Sequence, residues 1–97
     1  MRVVSRKAII KYYEKHSTSK TALEEWFFKI RKCTPSNLNE LKETFNSVDY
    51  VGNNRFVFNI KGNDYRLVAI ILFPSLKVYI RWIGTHAEYD KQNVKIV

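Results

Sequence analysis

Glycine, proline, cysteine and histidine are all scarce in this 97-residue chain: three, two, one and two residues respectively. With only Gly52, Gly62 and Gly84, there is no glycine-rich loop to cradle a phosphate and no flexible linker between domains. The single cysteine, Cys33, cannot close an internal disulfide. Cys33, His16 and His86 are too scattered to show metal-ligand spacing, so no metal site is expected. No serine or cysteine sits in a nucleophile elbow. No apolar run of about 18 residues and no leader-like apolar segment occurs, which argues against a membrane span and for a reducing, cytoplasmic setting. Internal repeats and low-complexity tracts are absent as well.

Acidic residues are also few, and their scarcity is informative. Seventeen Lys and Arg against nine Asp and Glu give a net charge of +8. Such a bias favours a polyanionic partner, either nucleic acid or an acidic protein. It is uneven along the chain. Residues 1–20 carry six basic groups and one acid, residues 21–50 four and five, residues 51–97 seven and three. Aromatics make up 14% and apolar residues 45%, enough for an ordinary core. A chain of this length is one domain, residues 1–97, burying roughly two-thirds of its unfolded surface.

The stretch Arg55–Asp90 organises the rest. It reads as three consecutive antiparallel strands followed by a short helix. Gly62-Asn63 can supply the positive φ angles of a two-residue hairpin, which would set Lys61 opposite Asp64, Asn59 opposite Arg66 and Phe58 opposite Leu67. A turn at Pro74–Lys77 would pair Phe73 with Val78 and Ile70 with Arg81. Alternation then collects Phe56, Phe58, Ile60, Tyr65, Leu67, Ala69, Ile71, Phe73, Val78, Ile80 and Trp82 on one face. The other face mixes Val57, Val68, Ile70, Leu72, Tyr79 and Ile83 with Arg55, Asn59, Lys61, Arg66 and Arg81. The first face must be covered. The second is a basic, partly apolar, open surface.

Before that stretch, Arg2-Val3-Val4 is suited to an edge strand and Ser5 to an N-cap. Ala8, Ile9, Tyr12, Tyr13 and His16 recur at helical spacing, as do Ala22, Leu23, Trp26, Phe27 and Ile30. The second helix should end near Cys33, ahead of Thr34-Pro35. Ser36 can cap a brief third helix carrying Leu38, Leu41 and Phe45, and a short strand is expected within Asn46–Val51. The simplest assembly is α+β: two N-terminal helices on one face of a twisted antiparallel sheet, with a short C-terminal helix.

Candidate site residues lie on the open face and at its end. Arg66 and Arg81 have planar donor sets suited to phosphate oxygens and to a phosphorane; the plainer reading is that each pairs with Asp64, Asp90 or a carbonyl. Lys61 reads equally as a solvated hairpin tip. Thr85-His86-Ala87-Glu88 has capping-box form, placing His86 at a helix N-terminus beside the sheet. Histidine there can exchange a proton near neutral pH. Tyr89 falls on the same side of that turn and could stack on a base, or simply anchor the C-terminal segment.

Phe58-Asn59-Ile60-Lys61-Gly62-Asn63-Asp64-Tyr65-Arg66-Leu67-Val68, followed by Tyr79-Ile80-Arg81 and Gly84-Thr85-His86-Ala87-Glu88-Tyr89-Asp90, resembles the HigB toxin family of the RelE superfamily. The resemblance extends over essentially the whole chain and includes Ala22-Leu23-Glu24-Glu25-Trp26. It implies the toxin of a type II toxin–antitoxin system: an mRNA endoribonuclease, often acting on the ribosome, silenced by a cognate HigA-type helix-turn-helix antitoxin. It also implies chemistry without metal or cofactor, in which the RNA 2′-hydroxyl attacks the adjacent phosphate. Arg66 matches the family's transition-state arginine, His86 stands where relatives place a basic residue, and Tyr89 lies close to their C-terminal tyrosine. The RelE branch carries lysines on the strand before the hairpin, where this chain has Val57 and Asn59.

The resulting expectation is a catalytic set of Arg66, His86, Tyr89 and Arg81, with His86 the preferred base. Lys61, Arg55, Asn59 and Lys91 are expected to hold RNA. Of the apolar residues on the open face (Val57, Val68, Ile70, Leu72 and Ile83), some are expected to pack under the terminal segments and others to be covered by the antitoxin. A second class remains open: a catalytically silent RNA- or ribosome-binding module using the same basic face.

Overall fold

A computed structural model describes all of residues 1–97. The chain order is β1 (Arg2–Val4), α1 (Arg6–Lys15), a 3₁₀ turn (Ser17–Ser19), α2 (Lys20–Lys32), α3 (Leu38–Thr44), β2 (Asp49–Gly52), β3 (Arg55–Ile60), β4 (Tyr65–Leu72), β5 (Lys77–Thr85) and α4 (His86–Tyr89). The five strands form one sheet in the order β1-β5-β4-β3-β2. Pairing is antiparallel throughout except at the edge, where β1 runs parallel to β5 through Arg2–Lys77, Val3–Val78 and Val4–Tyr79. The sheet is therefore mixed, not purely antiparallel as expected, because α1 and α2 intervene and return the chain before the sheet is completed. α3 adds a helix beyond the two N-terminal ones and the C-terminal one.

The helices form where the apolar stripes predicted them, and their ends are set by local chemistry. Ser5 stands at the N-cap of α1 but is left-handed, with φ 77°, and its side chain makes no capping bond. Only its carbonyl serves, accepting from the Ala8 N–H. α2 is entered directly from the 3₁₀ turn, with no side-chain cap at Ser19. α3 is capped by Asn37, one residue after Ser36, through a bond from the Glu40 N–H to Oδ1. The Glu40 carboxylate accepts from the N–H of Ser36, the residue before that cap.

Leu23, Trp26, Phe27 and Ile30 of α2, with Ile9 and Leu41, pack on Phe56, Phe58, Ile60, Leu67, Ala69, Ile71, Val78 and Ile80. Trp26, Phe45 and Phe58 meet edge-on or tilted, with ring centroids 5.1–6.4 Å apart. The predicted β3–β4 register holds, Asn59 opposite Arg66 and Phe58 opposite Leu67. In the hairpin, however, the positive φ angles fall on Lys61 (53°) and Gly62 (65°), not on Asn63.

The β4–β5 register departs from expectation in two ways. Ile71 faces Val78 and Ile70 faces Tyr79, a shift of two residues that leaves every side chain on its expected face. Between Ile80 and Trp82 the register then slips by one, because Arg81 is an extra residue in a β-bulge. Beyond the bulge the faces exchange. Ile83, opposite Leu67, packs against the core, and Trp82, opposite Val68, goes to the open face with Arg66 and Gly84.

Part of the open face is covered by the chain's own terminal segment, as expected. Val57 and Val68 are buried yet lie outside the helix-covered core. The chain beyond α4 returns over this side, tied by Asn53 Nδ2 to the Lys95 carbonyl and by Arg55 and Arg81 to the Val97 carbonyl. No helix is long and apolar enough to cross a membrane.

Candidate active site

The hairpin and the last turn converge on one small cluster. Arg66 leaves β4 on the open face. The bulge brings Gly84 directly opposite it, and α4 begins two residues later. That start is fixed by a complete capping box. The Glu88 N–H donates to Thr85 Oγ1 at 3.2 Å and the Thr85 N–H to the Glu88 carboxylate at 2.8 Å. These bonds hold the Glu88 carboxyl below its usual range, the Thr85 backbone bond being the largest cause. The His86 N–H is also bound, to the Asp64 carbonyl at 3.2 Å, stapling α4 to the hairpin.

Within this frame, Arg66 Nη2 lies 3.0 Å from His86 Nε2, and the Arg66 guanidinium carbon lies 4.6 Å from the centre of the Tyr89 ring. Arginine has donors only. Nε2 must therefore accept, which makes the imidazole neutral with its proton on Nδ1. That nitrogen faces Asp90 Oδ2 at 3.7 Å, consistent with a proton there. Tyr89 is held in turn by Trp82, their ring centroids 6.2 Å apart. Arg66 Nε is buried without any hydrogen-bond partner. A buried, unsatisfied guanidinium donor beside a neutral imidazole and a phenol is a site prepared for an anion.

The other expected residues are disposed differently. Arg81, expected beside Arg66, is the bulge residue, and its Nε donates to the Val97 carbonyl at 3.1 Å. Arg55 donates to the Asn53 carbonyl at 3.0 Å and to the Val97 carbonyl at 2.9 Å. Both bind carbonyls of the chain itself. Asn59 sits half-buried across from Arg66. Lys61 is exposed at the hairpin tip, 4.0 Å from Asp64 Oδ2, and Lys91 is exposed just past α4. Val57, at a position where the RelE branch has lysine, is a buried apolar group.

Sequence reading missed Trp82. Strict alternation assigned it to the core face, and nothing local to Arg81 announces the bulge. Gly84 carries the trace of that placement: a Cβ there would come 2.4 Å from the Trp82 ring, so the glycine makes room for the indole. Also unforeseen is an aromatic group behind α4. Tyr12 stacks on His16 at 4.3 Å, meets Tyr65 edge-on at 6.0 Å, and Tyr65 hydrogen-bonds Thr18. Burial, helped by the nearby Glu88 charge, pushes the Tyr12 phenol up to about 12. No group of three or more His, Cys, Asp or Glu side chains comes together to hold a metal ion.

A two-layer α+β domain with an arginine, an imidazole and a phenol clustered where its central hairpin meets a capped last turn belongs to the class of RelE-like toxins. Residues 19–92 match the HigB toxin family, described as the RelE-like toxic component of a toxin–antitoxin system, and the chain belongs to that family. It is 38% identical over 93 residues to the mRNA interferase toxin HigB of Escherichia coli strain K12, covering 93% of this chain and 88% of that protein. The same identity and coverage hold for the mRNA interferase HigB of Shigella flexneri. The mRNA interferase HigB of Escherichia coli O6:H1 is 27% identical over 93 residues, covering 94% of this chain and 90% of that protein.

Proposed function

We propose that this protein is an mRNA endoribonuclease that inhibits translation, acting on ribosome-bound message and held inactive by a HigA-type helix-turn-helix antitoxin. The observation that carries the reading is the Arg66 guanidinium, poised between His86 Nε2 and the face of Tyr89 with its Nε unpaired. A phosphodiester entering beside Arg66 supplies the oxygens that this donor set lacks. Drawing Arg66 toward phosphate weakens its bond to His86 and frees the Nε2 lone pair beside the reacting group.

His86 then takes the proton of the RNA 2′-hydroxyl. The 2′-oxygen bonds to phosphorus, the bond from phosphorus to the 5′-oxygen breaks, and the 5′-oxygen leaves as a hydroxyl after gaining a proton. The products are a 2′,3′-cyclic phosphate and a free 5′-hydroxyl. Arg66 stabilises the extra charge on the phosphorane, the role in which a fixed donor contributes most. Tyr89 orients Arg66 and offers a face and a hydroxyl to the neighbouring nucleotide. Asn59 and Lys61 flank the entry on the hairpin side, Lys91 on the other.

Induced expression in a bacterial host tests this, comparing wild type with Arg66→Ala and His86→Ala. Growth arrest with discrete new mRNA ends, both lost in the two variants at equal folded protein, is the expected result. Normal growth and intact mRNA in all three strains would overturn it and leave the cluster as a phosphate-binding surface only.

A further inference from the structure

β1 pairs only with Lys77–Tyr79 of β5, so the remaining length of that strand has no strand neighbour on this edge. α1 runs alongside instead. Between them lies a cleft of about 780 Å³, lined on the helix side by Ala8, Lys11, Tyr12 and Lys15 and on the strand side by Ile80–Ile83. A volume of this order is typical of pockets that enclose a small organic ligand. Neither the anion cluster nor the family match uses it.

Its lining has two chemistries in alternation. Ala8, Lys11, Tyr12 and Lys15 fall on one stripe of α1 at helical spacing, so cations and an aromatic ring face the cleft together. The Tyr12 ring is extended by His16, stacked on it at 21°. Across from them are Trp82 and Arg81, of whose side-chain nitrogens only Nε is engaged. Against Lys11, Lys15 and Arg81 the lining sets one acid, Glu14. A second acid, Glu88, stands nearby with its carboxylate already bound by the Thr85 N–H. Trp82 is also the ring against Tyr89, which lies under Arg66. Trp82, whose ring lies on the open face, therefore joins the strand side of the cleft to the anion cluster.

We propose that the cleft between α1 and the unpartnered part of β5 is the track for the single-stranded RNA flanking the cleaved bond, with Lys11, Lys15 and Arg81 on its phosphates and Trp82 stacked on a base. Aromatic faces interleaved with cations are the surface that single strands recognise. An extended peptide could also pair with the bare edge of β5, but three cations to one acid and the contact with Tyr89 favour a polyanion leading to the site. This inference rests on the nuclease reading and extends its substrate contact by at least one nucleotide.

The test uses the full chain and a single-stranded 2′-O-methyl RNA oligonucleotide, which cannot be cleaved. Trp26 is buried in the core, so quenching of tryptophan fluorescence reports on Trp82. Bound oligonucleotide should quench wild type, and the quenching should vanish in Trp82→Phe. In the Lys11→Ala, Lys15→Ala double variant, affinity should fall and the slope of log affinity against log salt should drop by about 1.4. Cleavage of ribosome-bound mRNA by that variant should lose in KM and not in kcat.

Unchanged affinity and salt slope in the double variant, with cleavage still abolished by Arg66→Ala, would overturn the cleft and leave the nuclease standing. No binding of the oligonucleotide and no cleavage of ribosome-bound mRNA by wild type would overturn both. If purified antitoxin shields Lys11 and Lys15 from acetylation while the oligonucleotide does not, the cleft belongs to a protein segment and the RNA track is wrong.

Discussion

Arg66 occupies its position because a guanidinium can meet three demands at once: a bond to imidazole, a stack on a phenol and a free donor for phosphate. Lysine offers a point charge and no plane. Arg66→Lys should therefore lose at least about 100-fold in cleavage rate, the scale seen when one oxyanion donor is removed, while melting close to wild type. The measurement is single-turnover cleavage beside a thermal melt. Tyr12 allows a second prediction. Its folded phenol titrates at about 12 against an ordinary value of 10.0, so the folded state holds its proton more tightly than the unfolded chain. The stabilisation is complete below pH 10 and is lost as the pH rises from 10 to about 12. Tyr12→Phe should flatten the fall in stability across that window in denaturant titrations. Arg66, His86 and Tyr89 were all legible from residue type and order. The contact of Arg66 with His86 Nε2 was not, since only folding puts the two side chains together.

α4 is only four residues long and depends on its cap. Thr85→Ala removes an N-cap side chain, which costs about 1 kcal/mol, and releases the turn that carries both His86 and Tyr89. Cleavage should fall by far more than stability does, read from kcat and a urea unfolding curve on the same preparation. Gly84→Ala strikes from the other side. A methyl at 2.4 Å from the Trp82 ring must displace the indole, so a loss of about 1–3 kcal/mol is expected, with the Trp82 fluorescence maximum shifted. The capping box was readable because its signal lies within four consecutive residues. The bulge at Arg81 was not. It depends on how β5 meets β4 across space, and one extra residue there moved Trp82 to the open face and Ile83 to the core.

Across the whole molecule, the net charge of +8 and the return of the chain over the sheet act together. Arg55 and Arg81 tie down the segment ending at Val97, and Val57 and Val68 are buried on that same side. Arg55→Ala should loosen this segment, speeding proteolysis after Lys95 while leaving growth arrest intact, because Arg55 is bound away from the anion cluster. Binding of single-stranded RNA should also weaken steeply with added salt, as expected of a basic protein that displaces counterions from its substrate. Sequence shows the charge of Arg55 and Arg81 but not the Val97 carbonyl that each of them binds.

What the chain determined by itself was everything encoded at short range: the amphipathic helices, the β3–β4 hairpin with Asn59 opposite Arg66, the cap at Thr85, the cationic excess and the motifs that place it among the HigB toxins. These depend on spacing along the backbone, where periodicity and hydrogen-bond geometry act directly. Tertiary structure alone decided the parallel seat of β1, the slip at Arg81 and the cleft beside α1. Each of these results from packing between residues distant in sequence, where a shift of one position reverses which side of the sheet a side chain faces.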